Sequence, residues 1–134
     1  MNGREVRVYS LAKDGNNKLS TNFKVREFRC KDGSDTIFVS DILVAVLQNV
    51  RDHFGKSVTI SSGYRTDKYN KSCKGAATYS QHKYGMAADI KVSGVKSKDV
   101  YNYLDDKYPN QYGLGLDSNY VHVDVRATRS RWTY

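Results

Sequence analysis

The chain lacks any apolar run approaching the roughly 20 residues that a membrane-spanning helix needs, so no membrane span is expected. Cysteine is scarce. Cys30 and Cys73 stand alone, outside any Cys-x-x-Cys pair, which excludes a disulfide framework. Two free thiols, a single bridge or a thiol on a metal remain open. Basic residues outnumber acidic ones, 22 to 14, for a net charge of +8, yet no block of five or six like charges exists. A basic arm for DNA is therefore not supported, and no nucleic-acid partner is expected. The charge does suit anionic partners, among them the polymers of a bacterial wall. The opening MNGREVRVYS is polar and has no apolar core of a signal peptide. Synthesis in the cytoplasm is expected, and a target outside the cell would need another delivery route. Repeats and low-complexity segments are absent.

What is present is one domain's worth of chain. With 134 residues it can bury a core without covalent staples. Residues 1–18 are polar and turn-rich and read as an N-terminal arm, with Glu5 to Tyr9 a short edge strand or extended arm. The domain proper is expected over 19–134. Phe23, Val25 and Phe28 suggest a short helix or turn that plugs the core. Ser40 to Phe54 is the clearest helix: Ser40 caps it, Leu43, Val46, Leu47 and Val50 recur at helical spacing, and Gly55 stops it. Ser57 to Ser61 and Ala87 to Val92 read as strands. Thr66 to Ser72 allows a helical turn or two. Ser97 to Tyr108 reads as a second helix, capped by Ser97 and stopped by Pro109, the single proline. Tyr112 to Leu116 and Tyr120 to Val125 form a strand pair around Asp117-Ser118-Asn119. The expected fold is a small α+β domain, an antiparallel sheet covered by helices.

Within it, His82, Asp89 and His122 form a candidate metal set. Two imidazoles and one carboxylate can hold a zinc ion and leave a fourth position open, as a catalytic zinc requires. Asp89 lies inside an apolar strand, where an unpaired carboxylate is costly. Ligation would remove that cost, and so would an arginine partner. His122 and Asp124, two apart in an alternating strand, share one face with Tyr120, while Val121, Val123 and Val125 face the core. A polar solvent face of an edge strand would give the same pattern. His53 lies near a helix C-terminus, where an imidazolium is mildly favoured, and is left out of the site.

Ser80-x-His82-x-x-Gly85-x-Ala87-x-Asp89, the stretch Ser61-Ser62-Gly63-Tyr64-Arg65-Thr66 with Asn70, and Val121-His122-Val123-Asp124-Val125-Arg126 followed by Arg131-Trp132 together resemble the zinc D-Ala-D-Ala carboxypeptidase family. That family includes phage endolysins, and its short single-domain members are the most similar from about Leu19 onward. The resemblance implies a hedgehog/DD-peptidase-like fold and one Zn2+ held by His82, Asp89 and His122. It implies hydrolysis of peptidoglycan stem peptides, as carboxypeptidase or endopeptidase, by metal-activated water. Arg65 matches the arginine that steadies a substrate carboxylate or a developing oxyanion. The family's usual Glu or Asp base, three residues before the second histidine ligand, is here Asn119, which takes no proton. Asp124 is the first candidate, as base or as a group orienting a ligand, and Asp117 the second. A monomer acting on the wall, released by a holin if of prophage origin, is the expectation. A zinc-bearing wall-binding module without turnover is the alternative.

Overall fold

The computed structural model describes residues 5–134; the first four residues of the expected arm lie outside the described part. From Glu5 the arm pairs with the rest of the chain. β1 (Val6–Ser10) runs antiparallel to β4 (Thr36–Ser40), with Val8 opposite Phe38. A four-residue helix, α1 (Leu11–Asp14), follows, capped by the Ser10 hydroxyl. β2 (Lys18–Ser20) and β3 (Phe23–Lys24) make a second small ladder. A 3-10 turn at Val25–Phe28 then drives Val25 and Phe28 into the core beside Phe23.

Strand β4 has no counterpart in the expectations above. Its alternation is short, and a helix cap follows at once, so the helix signal masks it. Ile37 and Val39 are nonetheless fully buried. The Ser40 side chain accepts from the amides of Ile42 and Leu43 and starts α2 (Asp41–Phe54). Gly55, in the left-handed conformation at φ 63°, ends it. Leu43, Val44, Val46, Leu47 and Val50 line the buried face. Each such side chain, fully buried, contributes roughly 1.5–3 kcal/mol.

The central sheet has five strands in the order β5-β6-β8-β7-β9. These are β5 (Val58–Ser62), β6 (Ala87–Val92), β7 (Gly113–Leu116), β8 (Val121–Asp124) and β9 (Ser130–Thr133). All neighbouring pairs are antiparallel except β7 and β9, which run parallel. One face of the sheet carries Ile60, Ala88, Ile90, Leu114, Val121 and Val123 into the core under α2 and α4 (Ser97–Lys107). Ser97 is the first residue of α4 rather than its cap; Lys96 takes the cap position, and the Ser97 hydroxyl donates to the Ser118 carbonyl at 3.3 Å instead. The short α3 (Asp67–Ser72) is capped by Thr66. His53 stacks on Tyr103 from α4, with ring centroids 3.8 Å apart, well away from the candidate ligands. Among the described residues no helix is long and apolar enough to cross a membrane.

Candidate metal centre

The opposite face of the sheet holds the site, because strand register puts unlike residues side by side. Ser62 on β5 pairs with Asp89 on β6, Asp89 with His122 on β8, His122 with Gly115 on β7, and Gly115 with Trp132 on β9. Residues directly opposite on adjacent strands project to the same face. One cross-strand row thus aligns a carboxylate, an imidazole, a gap and an indole. The next row carries Ala87, Asp124, Gly113 and Ser130.

His82 arrives from outside the sheet. It sits in a 3-10 turn, Gln81–Tyr84, started by the Ser80 hydroxyl and ended by Gly85 at φ 71°. A side chain at Gly85 would collide with the Phe38 backbone at 2.5 Å, so the glycine of the motif has a steric reason as well as a conformational one. The turn delivers an imidazole that is only 3% exposed.

His82, Asp89 and His122 are the one set of three candidate ligands among the described residues whose donor atoms all lie within 4.8 Å of one another. All three are buried. The hydrogen bonds fix which nitrogens face inward. His82 Nδ1 is 2.8 Å from the Gly63 carbonyl, which can only accept, so that nitrogen carries the proton. Its Nε2 is left bare 3.3 Å from Asp89 Oδ1. His122 Nε2 lies 2.7 Å from Asp124 Oδ2, and its Nδ1 lies 3.0 Å from the same Asp89 oxygen. With the His122 proton on Nε2, facing Asp124, two nitrogen lone pairs and a carboxylate oxygen converge on one point. That is a donor set that fits a divalent cation, and zinc takes N and O ligands of this kind.

The electrostatics agree. Burial pulls the His82 pKa down, more than its contacts with Asp89 raise it. Burial acts the same way on His122, but hydrogen bonds to Asp124 and Asp89 outweigh it and the net shift is upward. Asp89 and Asp124 are disfavoured as charges by burial, yet their hydrogen bonds hold both below the usual carboxylate range.

Arg65 enters the site as a braced fork. Its Nε donates to Ser62 Oγ and its Nη1 to Asn70 Oδ1, both at 3.2 Å, and Nη2 is 3.7 Å from Asp89 Oδ2. Asn70 is itself buried and anchored to the Ala77 carbonyl. Arg65, the three candidate ligands, Tyr120 and Trp132 all line a cavity of about 390 Å3.

The two candidate bases lie elsewhere. Asp124 is fully buried behind His122, with both oxygens engaged: Arg126 Nε reaches Oδ1 and Arg126 Nη2 reaches Oδ2, each at 2.7 Å. Asp117 accepts from the Asn119 amide at 2.8 Å and borders a different cleft, with Lys96 and Ser97. Asp89 is the only carboxylate among the described residues lining the metal cavity. Cys30 and Cys73 are both free; Cys73 borders the cavity but is not among the three converging ligands. Tyr134 and the two glycines of β7 belong to the site without having been singled out in the sequence. Gly113-x-Gly115 inside a strand was the available signal, since glycine there marks a close approach.

The site is thus of the class built on two histidines and one aspartate, set on the open face of an α+β sheet. The family model described as Peptidase M15 matches residues 21–124, and the chain belongs to that family, the zinc D-Ala-D-Ala carboxypeptidase type. Among curated proteins and among solved structures nothing matches the chain. Family membership supports a metallopeptidase, and M15 peptidases are zinc-dependent.

Proposed function

We propose that the protein is a zinc peptidase that hydrolyses bonds in peptidoglycan stem peptides, with His82, Asp89 and His122 as the metal ligands. The observation that carries this reading is the convergence of two bare imidazole nitrogens and a carboxylate within 4.8 Å at the floor of an open cavity. A zinc ion held there would supply Lewis acidity, lowering the pKa of a water toward neutrality and polarising a peptide carbonyl. The chain's own residues do the rest. The Gly63 carbonyl and Asp124 fix the tautomers of the two imidazoles. Arg65, held by Ser62 and Asn70, offers a fixed positive fork to a substrate carboxylate or to the oxygen on which charge develops. Asp124 orients His122 from behind; its oxygens are already committed to His122 and Arg126, so orientation rather than proton transfer is its part. Lys74, Arg65 and Arg126 on the cavity wall suit a wall peptide rich in carboxylates. We take the working form to be a monomer that reaches the wall by holin-type release, with charge assisting its attachment to anionic wall polymers.

A second reading has a specific observation in its favour. Among the described residues no Asp or Glu side chain of the cavity is free to take a proton, since Asp89 is assigned as a ligand and Asn119 stands where a base is expected. A zinc-bearing wall-binding module without turnover would look the same. Digestion of purified peptidoglycan by the zinc-loaded protein, beside His122→Ala, separates the two. New free amino groups, absent with the variant, support the peptidase. Zinc uptake with wall binding and no released amine supports the module. No zinc uptake under conditions that fill known zinc sites overturns both.

A further inference from the structure

Resting on the metal reading above, we propose that Trp132 is a positioning residue for His122, reaching it across a strand that two glycines keep bare. Adjacent strands lie about 4.8 Å apart, so β9 is two strand spacings from β8, too far for ordinary side-chain neighbours. Gly115 removes the obstacle. It sits between His122 and Trp132 in the same cross-strand row, and the indole lies over it. A methyl group at Gly115 would come within 2.6 Å of Trp132 Cε2. The indole therefore spans the gap and meets the His122 ring at 5.1 Å between centroids, tilted by 47°.

The next row repeats the device. A methyl group at Gly113 would come within 2.6 Å of Asp124 Oδ1 and 2.7 Å of Arg126 Nε. The bare strand thus makes room for the Asp124–Arg126 pair as well. Trp132 also covers that pair, with the Arg126 guanidinium 5.4 Å from its ring centre, a favourable cation-ring distance. His122 is held by Asp124 at Nε2, by Asp89 at Nδ1 and by the indole against its ring. Asp124 fixes its tautomer, while the indole limits the swing of its plane.

Trp132 is itself held firmly. Its neighbour Arg131 points to the other side of β9 and donates to Asp105 Oδ1 at 2.7 Å and to the carbonyls of Tyr112 at 2.6 Å and Tyr108 at 2.7 Å. A flexible terminal strand could not position anything, and these bonds remove that flexibility.

The test uses the full chain as wild type, Trp132→Ala, Trp132→Phe, Gly115→Ala and the Gly115→Ala/Trp132→Ala double variant. Zinc affinity is read by chelator competition and ligand geometry by the absorption spectrum of the cobalt(II) form. Removing partners that orient a metal ligand typically costs 10–100-fold in affinity. Trp132→Ala should weaken zinc binding about tenfold and shift the cobalt bands. Gly115→Ala should do the same by displacing the indole, and the double variant should be no worse than the poorer single, because both remove one contact. Trp132→Phe keeps an apolar ring and should recover part of the loss; it also serves if Trp132→Ala does not fold. A purely structural role would lower thermal stability and leave zinc affinity and the cobalt spectrum of the folded variants unchanged, which would overturn the proposal. If the wild type takes up neither metal, the metal reading itself fails and the proposal goes with it.

Discussion

His122 Nε2 and Asp124 Oδ2 lie 2.7 Å apart, and this contact decides which nitrogen of His122 can serve a metal. The carboxylate takes the proton-bearing nitrogen and leaves Nδ1 turned toward Asp89. Asp124 keeps its own place because Arg126 grips both oxygens. Asp124→Asn can still accept one hydrogen bond but loses the charge and one acceptor. Zinc affinity should fall by about 10–100-fold with the fold intact, read by chelator competition beside circular dichroism. Unchanged affinity would remove Asp124 from the ligand-orienting role.

The pairing of ligands with the fold predicts how the metal affects stability. The three proposed ligands come from β6, β8 and the 3-10 turn between β5 and β6, so an ion held there would tie that turn to the sheet. A ligand that binds only the folded state stabilises it by about 2.7 kcal/mol at 100 times its Kd. Zinc at that excess should raise the unfolding midpoint of the chelated protein accordingly. His82→Ala should abolish the increase. Calorimetry of the two proteins with and without zinc settles the matter.

Much of this was legible in the sequence, for identifiable reasons. Helix α2 declared itself through Ser40, its periodic apolar face and Gly55, all local signals. The strand alternation of Val121 to Val125 correctly separated core valines from the face of His122 and Asp124. The placement of Asp124 behind His122 was not legible, because face alone does not give depth. Depth here comes from Arg126 folding back over its own strand. Strands β4 and β9 escaped because each is short and gains its meaning from a distant partner, β1 in one case and β7 in the other. The parallel β7–β9 pair was least accessible of all, since it is non-local and goes against the antiparallel trend of the rest.

Acid should weaken the protein through two carboxylates. Burial alone would raise the pKa values of Asp89 and Asp124, but His122 and His82 at the first, and His122 and Arg126 at the second, outweigh it and lower both. A lowered folded pKa means that the unfolded chain, near 3.9 for Asp, binds protons first as pH falls. The stability these groups contribute is therefore present above about pH 4 and lost on further acidification. Urea midpoints of the metal-free protein from pH 6 to pH 2 should drop across that window. Asp124→Asn should show a shallower drop, and an equal slope in both proteins would contradict the assignment.

Arg65 separates binding of the metal from use of it. It touches Asp89 only at 3.7 Å, and its closer partners are Ser62 and Asn70. Arg65→Lys keeps a charge but loses the planar fork. On the peptidase reading, zinc content should be unchanged while the rate of peptidoglycan hydrolysis falls about 10²–10³-fold, the usual loss of one preorganised oxyanion donor. Retained zinc with retained rate would make Arg65 a structural residue.

Arg131 secures the terminal strand. Its side chain is one-tenth exposed and bridges Asp105 on α4 to the backbone before β7. Net contributions of charge-assisted hydrogen bonds are about 1.5–3 kcal/mol, and several carbonyls here lose their donor together. Arg131→Ala should therefore cost roughly 3 kcal/mol, seen as a lower urea midpoint with an unchanged slope. Arg131→Lys should recover little, since an ammonium cannot reach Asp105, Tyr108 and Tyr112 at once. Because β9 also carries Trp132 over Gly115, the same Arg131→Ala protein, assayed while still folded, should bind zinc more weakly than wild type. A large stability loss with wild-type zinc affinity would show that β9 braces the fold without bracing the metal ligand.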